Sequence, residues 1–272
     1  MSIQRWNPNF IDLSPMFELF RYSEEQFLSM LNWPDFTDLN QLNFKQKLKI
    51  MTRSGKKICF VPPVYGRQGF KDKYESKIYL TGQVQTRVEN WHDFFNALVW
   101  RVFPHAKSAI NQLHYQTQLL ESMKGIKRRS AIRDALTLFD ESGVVVVSSN
   151  SILIQLLKDY KWKQLFWGER EAVLSAMRFF VFGDGLYEKA LNPHTGMTGK
   201  GILFHVDKVF LDQPLLGQLH FIDLLLELFL LQDLSSSSDL IPIPILGYPG
   251  WIKDNISESY YENKKYFRNQ KN

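Results

Sequence analysis

The sequence predicts an α-rich α+β fold: a single globular domain in which many helices surround a small β-sheet. Three observations carry this. Helix start and stop signals recur along the chain, one unbroken β-branched run, Val144 to Val147, reads as a buried strand, and the composition is that of an ordinary globular protein. With 44% hydrophobic and 22% charged residues over 272 positions, the chain can bury a sizeable core and is neither disordered nor a coiled coil.

The elements follow in order. Residues 1–56 read as an N-terminal helical segment packed on a core of residues 57–272. Within the segment, Ser23 with Glu24, Glu25 and Gln26 forms a capping signal for a helix that Trp33 and Pro34 stop, and a second helix covers Asp38 to Lys49. The polar break Arg53 to Lys57 precedes a short strand, Ile58 to Val61, closed by Pro62 and Pro63. Asn90 caps a helix with Asp93 at its N3 position; the helix runs to Phe103, and Pro104 begins the next, which reaches Ser122 and the basic loop Lys124 to Arg129. Ser130 opens a helix ending near Glu141, with Gly143 as its left-handed C′ residue before the Val144 strand. Short helices are expected at Ser151 to Lys158 and Trp162 to Gly168, a strand at Phe179 to Phe182, and a helix from Gly183 through Leu191. The prolines and glycine from Pro242 to Gly250 predict an irregular strap across the core, carrying Ile243, Ile245, Leu246, Tyr248 and Trp251. Residues beyond Lys264 look dispensable.

Bulk properties narrow the function classes. Lys and Arg total 33 against 28 Asp and Glu, a net +5 that falls short of a dedicated nucleic-acid binder. The only cysteine, Cys59, allows no intrachain disulfide, and Met1 to Phe10 contains no apolar h-region, so cytoplasmic residence is expected. Leu215 to Leu234 alone has the apolarity of a membrane span, but His220, Asp223 and Glu227 fall on one stripe, which predicts a buried amphipathic helix and no membrane partner.

Candidate chemistry gathers at the Pro104 corner. Helical geometry places His92 and Asn96 in one strip of the first helix, and Lys107, Asn111 and His114 on one face of the second. Facing each other, these strips would form a pocket for a small anion, with His92 or His114 as general base and Asn96, Lys107, Asn111 and Arg133 as binding groups. Acidic candidates are Asp134, Asp140, Glu141, Asp184 and Glu188, of which Asp140, Glu141 and Glu188 are taken for proton transfer; Asp140 or Glu141 should meet Arg133, Lys107 or a histidine. The bland alternative is that the amides and imidazoles brace the corner by hydrogen bonds, and that Asp-Glu-Ser-Gly is turn chemistry. Carboxylates with His92 or His114 could hold a divalent metal, but no spacing demands one, so no metal or cofactor is assigned. Asp93 already has a structural task at N3.

Other patterns exclude familiar chemistries. Gly196-Met-Thr-Gly-Lys-Gly201 lacks the gap and the Ser or Thr of a phosphate loop, and no zinc-protease, serine-hydrolase or dinucleotide motif occurs. His205 and Asp207 read as edge polar groups. Tyr260, Tyr261, Tyr266 and Phe267 among the tail cations suggest nucleic-acid contact, which Glu258 and Glu262 weaken.

The segment Asn90-Trp-His-Asp-Phe-Phe-Asn-Ala-Leu-Val-Trp-Arg-Val-Phe-Pro-His-Ala-Lys-Ser-Ala-Ile-Asn-Gln-Leu-His-Tyr115 resembles the signature of the bacterial family called Domain of Unknown Function 3025. Arg133 to Gly143, Phe182-Gly-Asp-Gly-Leu-Tyr-Glu-Lys189 and Pro244-Ile-Leu-Gly-Tyr-Pro-Gly-Trp251 are similar to further blocks of that family, as are Tyr74 to Arg87 and the closing Tyr260 to Arg268. The resemblance spans about residues 57 to 268 and implies no activity. It does imply a His where this chain has Asp184. Two classes of function result: a hydrolase- or lyase-type enzyme acting on a small anionic substrate, or a non-catalytic interaction or nucleic-acid-associated protein in which the same residues are structural.

Overall fold

The structure is a computed structural model that describes residues 5–21, 27, 30–45, 49–66, 69–126 and 128–269; the capping signal at Ser23 lies outside them. Its elements are α1 (Phe36–Lys45), β1 (Cys59–Val61), α2 (Tyr74–Thr81), β2 (Gln83–Gln85), α3 (Trp91–Val102), α4 (Pro104–Met123), α5 (Ala131–Ser142), β3 (Gly143–Ser148), α6 (Ser151–Lys158), α7 (Arg170–Ala176), β4 (Met177–Val181), α8 (Asp184–Ala190), β5 (Thr198–His205), α9 (Lys208–Leu211), α10 (Leu215–Gln232) and β6 (Ile241–Pro244). This is the α-rich α+β architecture. Short 3-10 turns occupy the N-terminal segment and the stretch after β6, and a π-helical turn spans Gln164–Gly168.

Four strands in the order β4-β3-β5-β6 form the main sheet, with β3 parallel to β5 and antiparallel to β4. Val144 to Val147 are completely buried because β3 is interior to the sheet and covered on both faces, which is why the sequence there does not alternate. A separate parallel pair joins β1 to β2.

Gly143 differs from expectation. It is not left-handed but extended (φ −66°, ψ 141°) and opens β3 directly, with no intervening turn. Its smallness is required all the same, since a Cβ there would lie 2.4 Å from the Phe139 carbonyl oxygen. The glycines that mimicked a phosphate loop have a similar cause. On β5, a Cβ at Gly199 would meet Val144 at 2.6 Å, and one at Gly201 would meet Ile243 at 2.3 Å, so both are packing residues.

Helix α10 also departs from the reading of its polar stripe. By length and composition it could cross a membrane, yet here it packs along α4 with Ile222, Leu226 and Leu230 buried. Asp223 is buried with them. It accepts from the backbone N–H groups of His105 (3.0 Å) and Ala106 (2.8 Å), supplying the N-terminal partner that Pro104 and Phe103 cannot give α4. The outward face carries Leu216, Phe221 and Leu228, and of the stripe only Asp223 is a buried cap, with His220 exposed and Glu227 half-buried.

The N-terminal residues Phe10, Phe17 and Phe20 stack on Trp91, Phe94 and Phe95 of α3 and on Tyr187 of α8. They press α3 and α8 together from one side. The other side of that helix pair opens to solvent, and the candidate site lies there.

Candidate active site

Helix α3 is fixed at its start by Asn90, whose side chain accepts from the Asp93 N–H at 2.9 Å. Asp93 in turn clamps Arg87 through Nη2 at 2.7 Å and Nε at 3.0 Å, completing the structural task read for it. With these groups paired, His92 is the titratable side chain of the first turn left to face α8. The strip logic that joined it to Asn96 holds: both line one cavity of about 420 Å³, together with Tyr74, Arg87, Asp140 and Asp184.

Opposite His92, α5 and α8 meet at closest range. Helix α5 continues through Asp140, Glu141 and Ser142, so the two acids are helical and do not form a turn. The contact depends on two glycines. A Cβ at Gly183 would stand 2.4 Å from the Glu141 carbonyl oxygen, and one at Gly185 would stand 2.7 Å from Glu141 Oε1. Asp184, held between them, is therefore brought against Glu141. One donor atom from each of His92, Glu141 and Asp184 lies within 4.8 Å of the others.

The imidazole sits between carboxylates on both sides. His92 Nε2 is 3.7 Å from Asp184 Oδ1, and Nδ1 is 3.6 Å from Glu188 Oε2, one turn along α8. Asp184 is only 5% exposed and makes no side-chain hydrogen bond among the described residues. Burial pushes its carboxyl up to about 7, Asp140 adds to that, and Lys107 and His92 partly offset it.

The second strip reaches the same place from behind. Lys107 Nζ, also buried, donates to Asp140 Oδ1 at 2.6 Å and lies over the Trp100 ring. Burial alone would lower this ammonium, but Asp140 outweighs it and the group is held above its ordinary value. The expected meeting of Asp140 with Lys107 is thus present. Asn96 donates to the Tyr74 hydroxyl at 2.9 Å, and Asn111 donates to the Glu75 backbone oxygen at 2.9 Å and carboxylate at 2.7 Å. The two strips therefore meet across α2 and not by direct contact.

Of the nominated residues His92, Asn96 and Asp140 line the cavity, Glu141, Glu188 and Lys107 adjoin these side chains or Asp184, and three are engaged elsewhere. Asn111 is turned to Glu75; His114 is buried and lowered chiefly by burial; Arg133 pairs with Glu121 at 2.6 Å. Lys107 is neutralised by Asp140. As a pocket for a free anion the cluster is therefore poorly equipped: its cations are engaged, while Glu141, Asp184 and Glu188 face His92. Sequence reasoning undervalued Asp184, which stood among the acidic candidates and as a departure from a family pattern but was not placed in the pocket. The signal was its setting between Gly183 and Gly185, since paired glycines mark a close backbone approach.

The tail is used internally. Tyr261, Tyr266 and Phe267 are buried, and Lys163 spans Glu258 (2.8 Å) and Glu262 (3.0 Å). Those aromatic side chains pack into the core.

The family model described as protein of unknown function, DUF3025, matches residues 58–271. No curated protein and no solved structure matches the chain.

Proposed function

The chain belongs to the DUF3025 family of proteins of unknown function, and from that premise we propose that it is an enzyme of hydrolase or lyase type. Its reaction centre is the cavity over α3, α5 and α8. One observation carries the reading: His92 and Asp184, distant in sequence, line a solvent-open cavity of about 420 Å³ with Glu141 within 4.8 Å of both, and the Asp184 carboxylate is buried and makes no hydrogen bond among the described residues. A brace for the fold would show such groups mutually paired and no cavity beside them. Activation of a water or a substrate hydroxyl is the chemistry these groups suit.

In this reading the roles divide. His92, Glu141 and Asp184 face the reacting atoms, while Glu188 holds the imidazole from behind. Asn96 and Arg87, at the cavity wall, contact substrate; Lys107 and Asp140 form its charged floor. The substrate is small, as the cavity sets its size, and anionic only if a further positive charge is present, because the reactive cluster is itself acidic. The working compartment we propose is the cytoplasm, consistent with the free thiol of Cys59.

The substitution Asp184→Asn tests this without knowing the substrate. Kept for function, the buried carboxylate costs stability, so the amide should raise the thermal midpoint in EDTA, by about 1–3 kcal/mol in unfolding free energy. The same variant should lose turnover in a screen of small phosphate, carboxylate and amide substrates. A lowered midpoint would assign Asp184 to bracing and end the enzymatic reading.

A further inference from the structure

We infer that His92, Glu141 and Asp184 form the protein half of a divalent transition-metal site, with Glu188 as the group that orients its imidazole. The inference deepens the enzymatic reading and rests on it for what the cation does. The binding itself is argued from geometry.

Three donors of the right kind are at hand. Two carboxylates and one imidazole are a mixed oxygen and nitrogen set, which suits Mn²⁺, Fe²⁺ or Zn²⁺ better than Ca²⁺ or a thiolate-seeking ion. Their donor atoms lie within 4.8 Å of one another. Ligands bound to one cation at about 2.0–2.2 Å stand about 3.4 Å apart near the tetrahedral angle, so side-chain torsions alone close the gap. The exposed Glu141 carboxylate and the His92 ring, 31% exposed at its side chain, are free to make that adjustment around the buried Asp184.

The second observation is independent of the clustering. Asp184 is buried, lines the cavity and makes no side-chain hydrogen bond among the described residues. A carboxylate desolvated to that degree needs a positive partner. The nearby cations supply it only in part: Lys107 is committed to Asp140 at 2.6 Å, and His92, at 3.7 Å, pairs with Asp184 only when its imidazole is protonated. A cation placed among the three donors satisfies Asp184 and removes the repulsion between it and Glu141.

The surroundings fit a ligand sphere. Metal-bound histidines present one ring nitrogen to the cation and the other to a carboxylate or carbonyl. His92 does this, with Nε2 toward Asp184 and Nδ1 toward Glu188. Three protein ligands leave coordination positions for water and for substrate, as in catalytic and not structural centres. The cation also reverses the charge of the cluster, which lets an anionic group of the substrate, phosphate or carboxylate, bind where the bare protein would repel it.

The test uses the full-length chain stripped with EDTA and titrated calorimetrically with MnCl₂, ZnCl₂ and MgCl₂, with bound metal counted by elemental analysis. One equivalent of Mn²⁺ or Zn²⁺ should bind, more tightly than Mg²⁺, and raise the melting midpoint. Glu141→Gln, an exposed position where folding is not at risk, and Asp184→Asn should each weaken binding at least tenfold. Glu188→Gln should weaken it by about tenfold, the low end of the range for outer-sphere partners. Co²⁺ loaded into the wild type should give a visible spectrum of nitrogen and oxygen ligation that His92→Ala changes. No binding at one equivalent, or equal binding in Glu141→Gln, overturns the inference. If the wild type binds nothing yet Asp184→Asn still gains stability and loses turnover, the metal site falls and the enzymatic reading stands.

Discussion

The C-terminal strap and the α3–α8 corner are both rich in buried polar groups, and they treat most of those groups in opposite ways, the Tyr260 hydroxyl, buried with no partner among the described residues, being the exception in the strap. In the strap, Asn255 is fully buried and uses both ends of its amide, donating to Leu246 (2.9 Å) and Tyr248 (2.7 Å) carbonyls and accepting from the Gly250 N–H (3.2 Å). Tyr266 accepts from the Leu246 N–H at 3.0 Å and donates to the Met197 carbonyl at 2.8 Å. At the corner, Asp184 lacks any side-chain hydrogen bond, and Asn96 Oδ1, Asn111 Oδ1 and His114 Nδ1 are buried with no partner among the described residues. A satisfied network fixes one structure, whereas unsatisfied groups cost stability and persist where something else must bind. The strap is built to hold, and the corner to exchange partners.

The largest expected effects test the strap. Deleting residues 242–272 removes most of the edge strand β6 together with Ile243, Ile245, Leu246, Tyr248 and Trp251, all buried, and should leave no cooperative unfolding transition by circular dichroism. The shorter deletion of 264–272 should not be silent, contrary to what its charged sequence suggests. Tyr266 and Phe267 are buried, and the Arg268 carbonyl accepts from Trp162 Nε1 at 2.7 Å, so its loss should cost about 3–5 kcal/mol in denaturant unfolding. An unchanged midpoint would mean that the satisfied network contributes nothing, and the contrast with the corner would collapse.

A smaller pair of effects separates structure from chemistry at the corner. Gly183→Ala places a methyl 2.4 Å from a backbone oxygen that cannot swing away, and should destabilise by about 2–3 kcal/mol. Gly185→Ala meets the movable carboxylate of Glu141 at 2.7 Å. It should change stability by less than about 1 kcal/mol while displacing Glu141, so that cation binding or turnover falls instead. Equal losses of stability in both variants would show that Glu141 is held as rigidly as backbone.

What the sequence disclosed follows the same division. The Asn90 cap, the Pro104 start, the β3 core strand and the strap depend on neighbours within a few residues, and each is found close to where local signals placed it. His92, Asp140, Glu141 and Glu188 were visible as candidates because their residue types carry chemistry. Which of them meet was not visible, since that depends on α8 docking between α3 and α5. Asp223 illustrates the limit: its stripe on α10 had the right period, but only tertiary structure shows that this one member of it caps another helix. The same holds for Lys107, correctly paired with Asp140 yet withdrawn from the anion pocket that the pairing was meant to build.

The smallest expected effect is a pair of opposed pH dependences in the metal-free protein. His114 is 4% exposed, and its imidazole is lowered chiefly by burial, with Glu75 and Asp140 pulling the other way. The unfolded chain therefore takes up this proton near pH 6.5, before the folded chain does, and stability declines as pH falls through that value. Asp184 has the reverse sign. Raised to about 7, it binds its proton more tightly when folded than at its unfolded value near 4, so its contribution is present in acid and is lost as pH rises through about 4 to 7. Urea unfolding between pH 4.5 and 7.5 should then show two partly cancelling slopes. His114→Gln should remove the acid-side loss and leave a decline toward neutral pH; Asp184→Asn should shrink that decline to the share of Asp223, whose buried carboxyl is raised to about 6, and so leave the acid-side loss more prominent. If the two variants give parallel curves, the groups do not titrate independently, and the corner behaves as one network in the manner of the strap.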